Sequence, residues 1–345
     1  MEPKASVTVA RDSEAGAICL RCNASGKTEW RFEHSAPPSG PKTSPKRSTF
    51  PARLQRFEYR PSPDGIDTNL LVFFHGLGDS PAPFIKLGEQ FALPQTALLA
   101  LRAPCELPLE LGSSWFDVID MEKSDFIQPC RGERRRVQSL SKCFEDLDQA
   151  LGVLLECGWL PHELFLFGFS QGGTVAMEWA LHRHRQPMFG GIMATAAGLM
   201  EEWQWPTNWP PSKRSKAASK KAKTTSTASH VNSGKTPGDC LILAGRQDTT
   251  VPPTWASQSA KLFSDPTNWV DGGDRNKKNS GVANSPKAEV AFFEKAHGML
   301  ASPEEAAAVM NFLAPRLRKI SAWEQDPDVY LVGSKEAGSA TVEGL

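Results

Sequence analysis

Ser170 lies in Gly168-Phe169-Ser170-Gln171-Gly172-Gly173, directly after the apolar run Leu164-Phe165-Leu166-Phe167 and directly before the helical pattern of 174–181. A serine hydroxyl is a poor nucleophile until a neighbouring imidazole takes its proton and a carboxylate holds that imidazole in the right tautomer. Flanking glycines permit a tight strand-to-helix turn that lifts the hydroxyl above a sheet. The bare G-x-S-x-G pattern arises readily by chance, so its weight comes from the strand before it and the helix after it. The bland alternative is a βα turn whose serine only caps the following helix.

Partners for such a serine should follow in the order acid, then histidine. The apolar run 241–244 leads into Gly245-Arg246-Gln247-Asp248, and the run 289–293 leads into Lys295-Ala296-His297-Gly298. Asp248 and His297 therefore both arrive on loops at strand ends. For Asp248 the competing role is a turn-forming side chain ahead of Thr249-Thr250. Asp239 and Asp265 are the reserve acids, one ahead of its strand and the other in an insertion. Of the seven histidines, His34 and His230 sit in a linker and a basic loop, His182 and His184 on the helix after Ser170, and His162 at the wrong end of a strand. His297 alone fits a general base. A further strand, 70–74, ends in His75-Gly76-Leu77-Gly78-Asp79, where glycines let the backbone approach a substrate oxygen. The amides of Leu77 and Gln171 are the expected oxyanion donors, with His75 a hydrogen-bonder that orients the loop.

The elements that must position these residues alternate. Runs 70–74, 97–101, 164–169, 191–195, 241–244 and 289–293 have the bulk and length of buried strands. Between them lie helical patterns at 83–91, 137–156, 172–184, 254–263 and 302–320. This alternation predicts an α/β fold, with a mostly parallel central sheet and helices on both faces, and chemistry at the C-terminal strand ends. Two stretches lack Ile, Leu, Met and Phe, 206–238 and 264–286. They read as disordered surface insertions. Residues 1–53 read as a largely disordered arm ending in a Pro-rich linker, 54–320 as one catalytic domain, and 321–345 as a flexible acidic tail.

The chain resembles the acyl-protein thioesterase / phospholipase-carboxylesterase family of α/β hydrolases. The resemblance rests on His75-Gly76-Leu77-Gly78-Asp79, Arg102-Ala103-Pro104, Ser114-Trp115-Phe116-Asp117, Gly168 through Gly173, Ala244 through Asp248 with Val251-Pro252, and Ala296-His297-Gly298. It implies the α/β-hydrolase fold and a cofactor-free cytosolic serine hydrolase acting on acyl thioesters of proteins, or on carboxylic esters and lysophospholipids. The Trp-rich continuation after Leu199 departs from the family pattern. Trp115, Phe116, Leu199, Met200, Trp203 and Trp205 are the candidates to line an apolar acyl channel, with core packing as the competing role.

Composition narrows the remaining classes. The 345 residues carry 39 Lys+Arg and 39 Asp+Glu, and this neutrality disfavours a uniform nucleic-acid binder. The seven cysteines lack regular spacing apart from Cys19 and Cys22. With no apolar leader at the N-terminus, this points to a reducing, cytoplasmic setting with a nuclear destination open. No apolar run reaches the roughly 18 residues of a membrane helix, so membrane contact is at most peripheral. Neither a metal nor a cofactor is expected, and the partner is an acylated protein or lipid ester; oligomeric state is not readable. Two other readings stay open: an interaction protein using the basic run 213–223, and a metal or thiol role for Cys19-Leu20-Arg21-Cys22, weak without two further ligands.

Overall fold

The computed structural model describes residues 18–22, 28–32, 42–120, 122–123, 125–129, 133–182, 189–200, 202, 238–264, 287–319 and 329–332. The two stretches expected as insertions lie outside the described residues, except Gly238 and Ser264 at their edges. So do Trp203 and Trp205.

The larger of two compact units, residues 41–224 and 235–318, is built on a seven-stranded sheet. In chain order its strands are β1 (Phe57–Arg60), β2 (Asn69–Phe74), β3 (Thr96–Leu101), β4 (Leu164–Phe169), β5 (Gly191–Thr195), β6 (Cys240–Gly245) and β7 (Ala288–Phe293). Their spatial order is β7-β6-β5-β4-β2-β3-β1. All pairs are parallel except β1 with β3. Five helices cross between strands: α1 (Pro81–Phe91), α2 (Arg135–Glu156), α3 (Gln171–His182), α4 (Pro253–Ser264) and α5 (Pro303–Leu313).

Burial on both faces explains the unbroken apolar strands. Leu70, Val72 and Phe74 face a core closed by Leu140, Leu147 and Leu151 of α2, Val175 and Trp179 of α3, and Phe263 of α4. Leu71 and Phe73 face the opposite core, closed by Phe84 and Ile85 of α1 and by Val309, Phe312 and Leu313 of α5. Each such side chain, fully buried, contributes about 1.5–3 kcal/mol. Phe167 of β4 and Phe73 of β2 touch ring to ring at 5.5 Å, so the strand that delivers Ser170 and the one that delivers Leu77 are packed as neighbours.

Three differences from the sequence expectations have physical causes. Helix α5 stops at Leu313 rather than 320, because Pro315 has no amide to donate and disfavours helix in the residue before it. Strand β1 escapes the pattern because it is a four-residue edge strand with two polar positions. Residues 42–53, expected as linker, pack on the body. Phe50 is buried against Phe57 at 4.5 Å, and Lys42 donates to Glu163 and to the Gly158 carbonyl.

The second unit comprises residues 1–40, 225–234 and 319–345. Its described part is a three-stranded antiparallel sheet of Ile18–Cys22, Thr28–Phe32 and Val329–Val332, with the first strand central. Ile18 pairs with both Phe32 and Val332. Strands from both ends of the chain thus occur where the sequence suggested only an arm and a tail; the long-range pairing that makes them is invisible to local periodicity.

Candidate active site

Strand β4 ends at Phe169, and the chain turns through Ser170 into α3. Ser170 has φ 51°, in the left-handed region that non-glycine residues rarely occupy. The turn is held by Ser170 N–H on the Thr195 carbonyl (2.9 Å) and by Thr174 N–H on the Ser170 carbonyl (3.1 Å). Its sharpness dictates its glycines. A Cβ on Gly172 would lie 2.1 Å from the Phe74 carbonyl oxygen, and one on Gly168 would lie 2.4 Å from that of Gly172. Only a bare backbone fits between β4, α3 and the end of β2.

The loops after β6 and β7 bring the expected partners to this turn. His297 Nε2 is 3.0 Å from Ser170 Oγ, and His297 Nδ1 is 2.8 Å from Asp248 Oδ2. The Asp248 side chain has no exposed surface, while that of His297 is 25% exposed. Asp248 Oδ1 also accepts the Thr250 and Val251 amides, each at 2.8 Å. Its turn-forming role and its contact with the imidazole are therefore both real, made by different oxygens. With the carboxylate accepting at Nδ1–H, Nε2 is left free to accept the serine proton. The Phe169 ring lies 5.5 Å from that of His297, holding the imidazole from the side.

The loop after β2 forms the other wall. Leu77 is 38% exposed, and neither its amide nor that of Gln171, first residue of α3, donates to another group among the described residues. Two donors without acceptors are thus available beside Ser170. His75 braces this loop. Nδ1–H donates to the Gly76 carbonyl at 2.7 Å, and Nε2 accepts the Ala103 amide at 3.0 Å. Both bonds fit the neutral ring, and burial holds its pKa below the ordinary histidine value.

Two expectations about the acyl channel are corrected. Trp115 is 0% exposed and Phe116 is buried, so neither offers surface to a ligand. Trp115 instead stacks on Phe74 (5.1 Å) and donates its indole N–H to the His75 carbonyl at 2.8 Å. The Gln171 side chain joins the same brace, accepting the Trp115 amide at 2.9 Å and donating to Ser114 Oγ at 3.0 Å. Leu199 and Met200 are also buried. Their amides go to Ser259 Oγ (2.9 Å) and Glu178 Oε1 (2.7 Å). Of the reserve acids, Asp239 is engaged elsewhere, with Arg316 at 2.8 Å, and Asp265 lies outside the described residues.

Sequence reasoning missed two supports. One is the Trp115 indole, signalled only by the rule that a buried Trp needs an acceptor for its N–H. The other is Glu178, a carboxyl inside the apolar stretch of α3, whose pKa burial first and Glu202 second push up to about 8. Among the described residues, no group of three or more His, Cys, Asp and Glu side chains is arranged to hold a metal. No helix there is long and apolar enough to cross a membrane.

Comparison with known proteins places this geometry. The profile of the phospholipase/carboxylesterase family matches residues 61–217, which include Leu77, Ser170 and Gln171 but neither Asp248 nor His297. A hydrolase of Mycosarcoma maydis, described as uncharacterized, is 34% identical over 150 residues, 41% of this chain and 53% of that protein. Acyl-protein thioesterase 1 of Cryptococcus neoformans is 26% identical over 123 residues, 34% of this chain and 49% of that protein. The chain spans about half the length of the curated relatives it matches. The crystal structure of esterase PE8 superposes with a TM-score of 0.50 at 18% identity, covering 75% of this chain and 98% of the other, which speaks for the fold alone. By the profile match and this architecture, the chain belongs to the phospholipase/carboxylesterase family and has the α/β-hydrolase fold.

Proposed function

We propose that this protein is a serine hydrolase that cleaves acyl thioesters and carboxylic esters through an acyl-enzyme, with acylated proteins as its main substrates. The observation that carries this reading is the unbroken hydrogen-bonded chain from Ser170 Oγ to His297 to buried Asp248, beside two unpaired amides. Ser170 Oγ attacks the acyl carbonyl while His297 Nε2 takes its proton, and Asp248 stabilises the imidazolium. The Leu77 and Gln171 amides hold the oxyanion. The imidazolium then protonates the leaving thiol or alcohol, leaving the acyl group on Ser170. In the second half a water gives its proton to His297 and attacks the acyl carbon, and the proton returns to Ser170 as the acid departs.

A thiol, with a pKa near 8.5, needs less help to leave than an alcohol, so one site can process both. Likeness to acyl-protein thioesterase 1 of Cryptococcus neoformans supports the thioester side of the reading. Leu77, Leu109 and Leu111 are 38%, 90% and 58% exposed. They lie on loops joined by the Gly78 amide donating to the Ser113 carbonyl, and they give an acyl chain apolar surface.

The test is the purified full chain on a palmitoyl thioester, a lysophospholipid and a short p-nitrophenyl ester, with fluorophosphonate labelling alongside. Thioester turnover in excess of the other two is the expected result. A dominant oxyester or lysophospholipid rate replaces the thioesterase reading with that of a general carboxylesterase. Ser170→Ala should abolish both turnover and labelling; labelling that persists places the nucleophile elsewhere.

A further inference from the structure

His297 sits on the connection between β7 and α5, residues 294–302. Among the described residues, no backbone amide from Ala296 to Leu300 donates to a backbone carbonyl. A loop without such bonds samples several conformations unless something else closes it. What closes this one is the Lys295 ammonium. Its Nζ donates to the carbonyls of Gly298 (3.1 Å) and Met299 (3.0 Å), the two residues after His297, and it pairs with Glu305. These three acceptors use all three donors of an ammonium.

Glu305 is held as firmly as its partner. Its Oε2 accepts the Ala301 (2.7 Å) and Ser302 (3.0 Å) amides as part of the N-terminal cap of α5. Its buried Oε1 meets only Lys295 among the described residues. The main chain of Lys295 is tied in the opposite direction, to the loop that carries Asp248. Its carbonyl accepts the Gln247 amide at 3.0 Å. A Cβ on Gly245 would lie 2.3 Å from that same oxygen, so the acid loop and the base loop are pressed together at this residue.

We propose that Lys295 is a positioning residue: its side chain, anchored on α5 through Glu305, spans His297 and fixes the imidazole between Asp248 and Ser170. This rests on the serine-hydrolase reading above. Proton transfer needs both the 3.0 Å and the 2.8 Å contacts of His297 at once, and a misplacement of about 1 Å can cost about 100-fold in rate.

The experiment compares Lys295→Met, which keeps length but removes charge and donors, with Lys295→Arg, which keeps the cation. Steady-state kinetics on a soluble p-nitrophenyl ester, fluorophosphonate labelling rate and amide hydrogen exchange are measured for each. For Lys295→Met, kcat and labelling rate should fall together by about 10- to 100-fold with KM within about threefold. Exchange should quicken at 296–300 but not at 240–245, and Lys295→Arg should recover most of the loss. A Lys295→Met protein losing less than about tenfold in kcat, or one whose exchange quickens throughout β6 as well, overturns the proposal. Failure of the underlying reading looks different. Wild-type protein would then neither turn over esters nor take the label, while exchange at 296–300 would still report whether the clamp exists.

Discussion

At the site Asp248 divides its two oxygens between two tasks, and this division makes a sharp prediction. Oδ1 is occupied by the Thr250 and Val251 amides, and Oδ2 meets His297. In Asp248→Asn the amide oxygen keeps the first position, so its NH2 faces His297 and favours the tautomer with the proton on Nε2. That ring cannot accept from Ser170. We expect kcat to fall by a factor on the order of 10³–10⁴ while fold and KM hold; circular dichroism and steady-state kinetics check this, and a loss under tenfold would count against the assignment. Ser170, Asp248 and His297 were legible in the sequence because each follows a strand directly and chain order restricts the choice. The part played by Trp115 was not legible. A large aromatic residue near the serine suits a channel wall and a buried brace equally well, and only the His75 carbonyl 2.8 Å from its indole N–H decides between them.

Helix α3 does more than present Ser170. Two turns along it, the Glu178 carboxyl holds the Met200 amide in the segment that follows β5. The group ordinarily titrates at 4.5 and here at about 8, so between these values the folded protein binds the extra proton. Stability from this group is therefore highest at acid pH and falls as pH rises through the window, with the full cost of burying the charge present above about pH 8. Glu178→Gln keeps an acceptor for Met200 without a charge. Its melting temperature should exceed that of the wild type at pH 9, and the gap should close towards pH 5; a pH-independent gap would contradict this account. The strands and helices of the body were readable from periodicity because a sheet buried on both faces demands unbroken apolar runs. Their ends depended on Pro315, and the edge strand β1 on pairing with β3, neither of which a periodic pattern encodes.

Across the whole molecule, the body begins earlier than composition suggests. Lys42 Nζ lies 2.5 Å from Glu163, 5.2 Å from the centre of the Trp159 ring and 2.5 Å from the Gly158 carbonyl. The Lys42 and Glu163 side chains are almost wholly withdrawn from solvent, and Arg318, near the other end of the body, approaches the same carboxylate at 3.6 Å. Removing one partner of a buried pair costs about 3–5 kcal/mol. Lys42→Met should therefore lower stability by about 3 kcal/mol in urea unfolding, while deletion of residues 1–40 should leave the unfolding midpoint of the body unchanged. Equal midpoints for wild type and Lys42→Met would refute the boundary. The sequence by itself determined the alternation of strands and helices, the identity of the nucleophile and the order of its partners, since these follow from local periodicity, from glycines at a tight turn and from chain direction. Only the tertiary structure decided that residues 42–53 belong to the body and that Trp115 supports the oxyanion loop. It alone also showed that strands from both ends of the chain share a sheet and that Lys295 clamps the loop of His297. Each of these depends on groups far apart in the chain or on the direction of a single hydrogen bond, and neither leaves a mark on local composition.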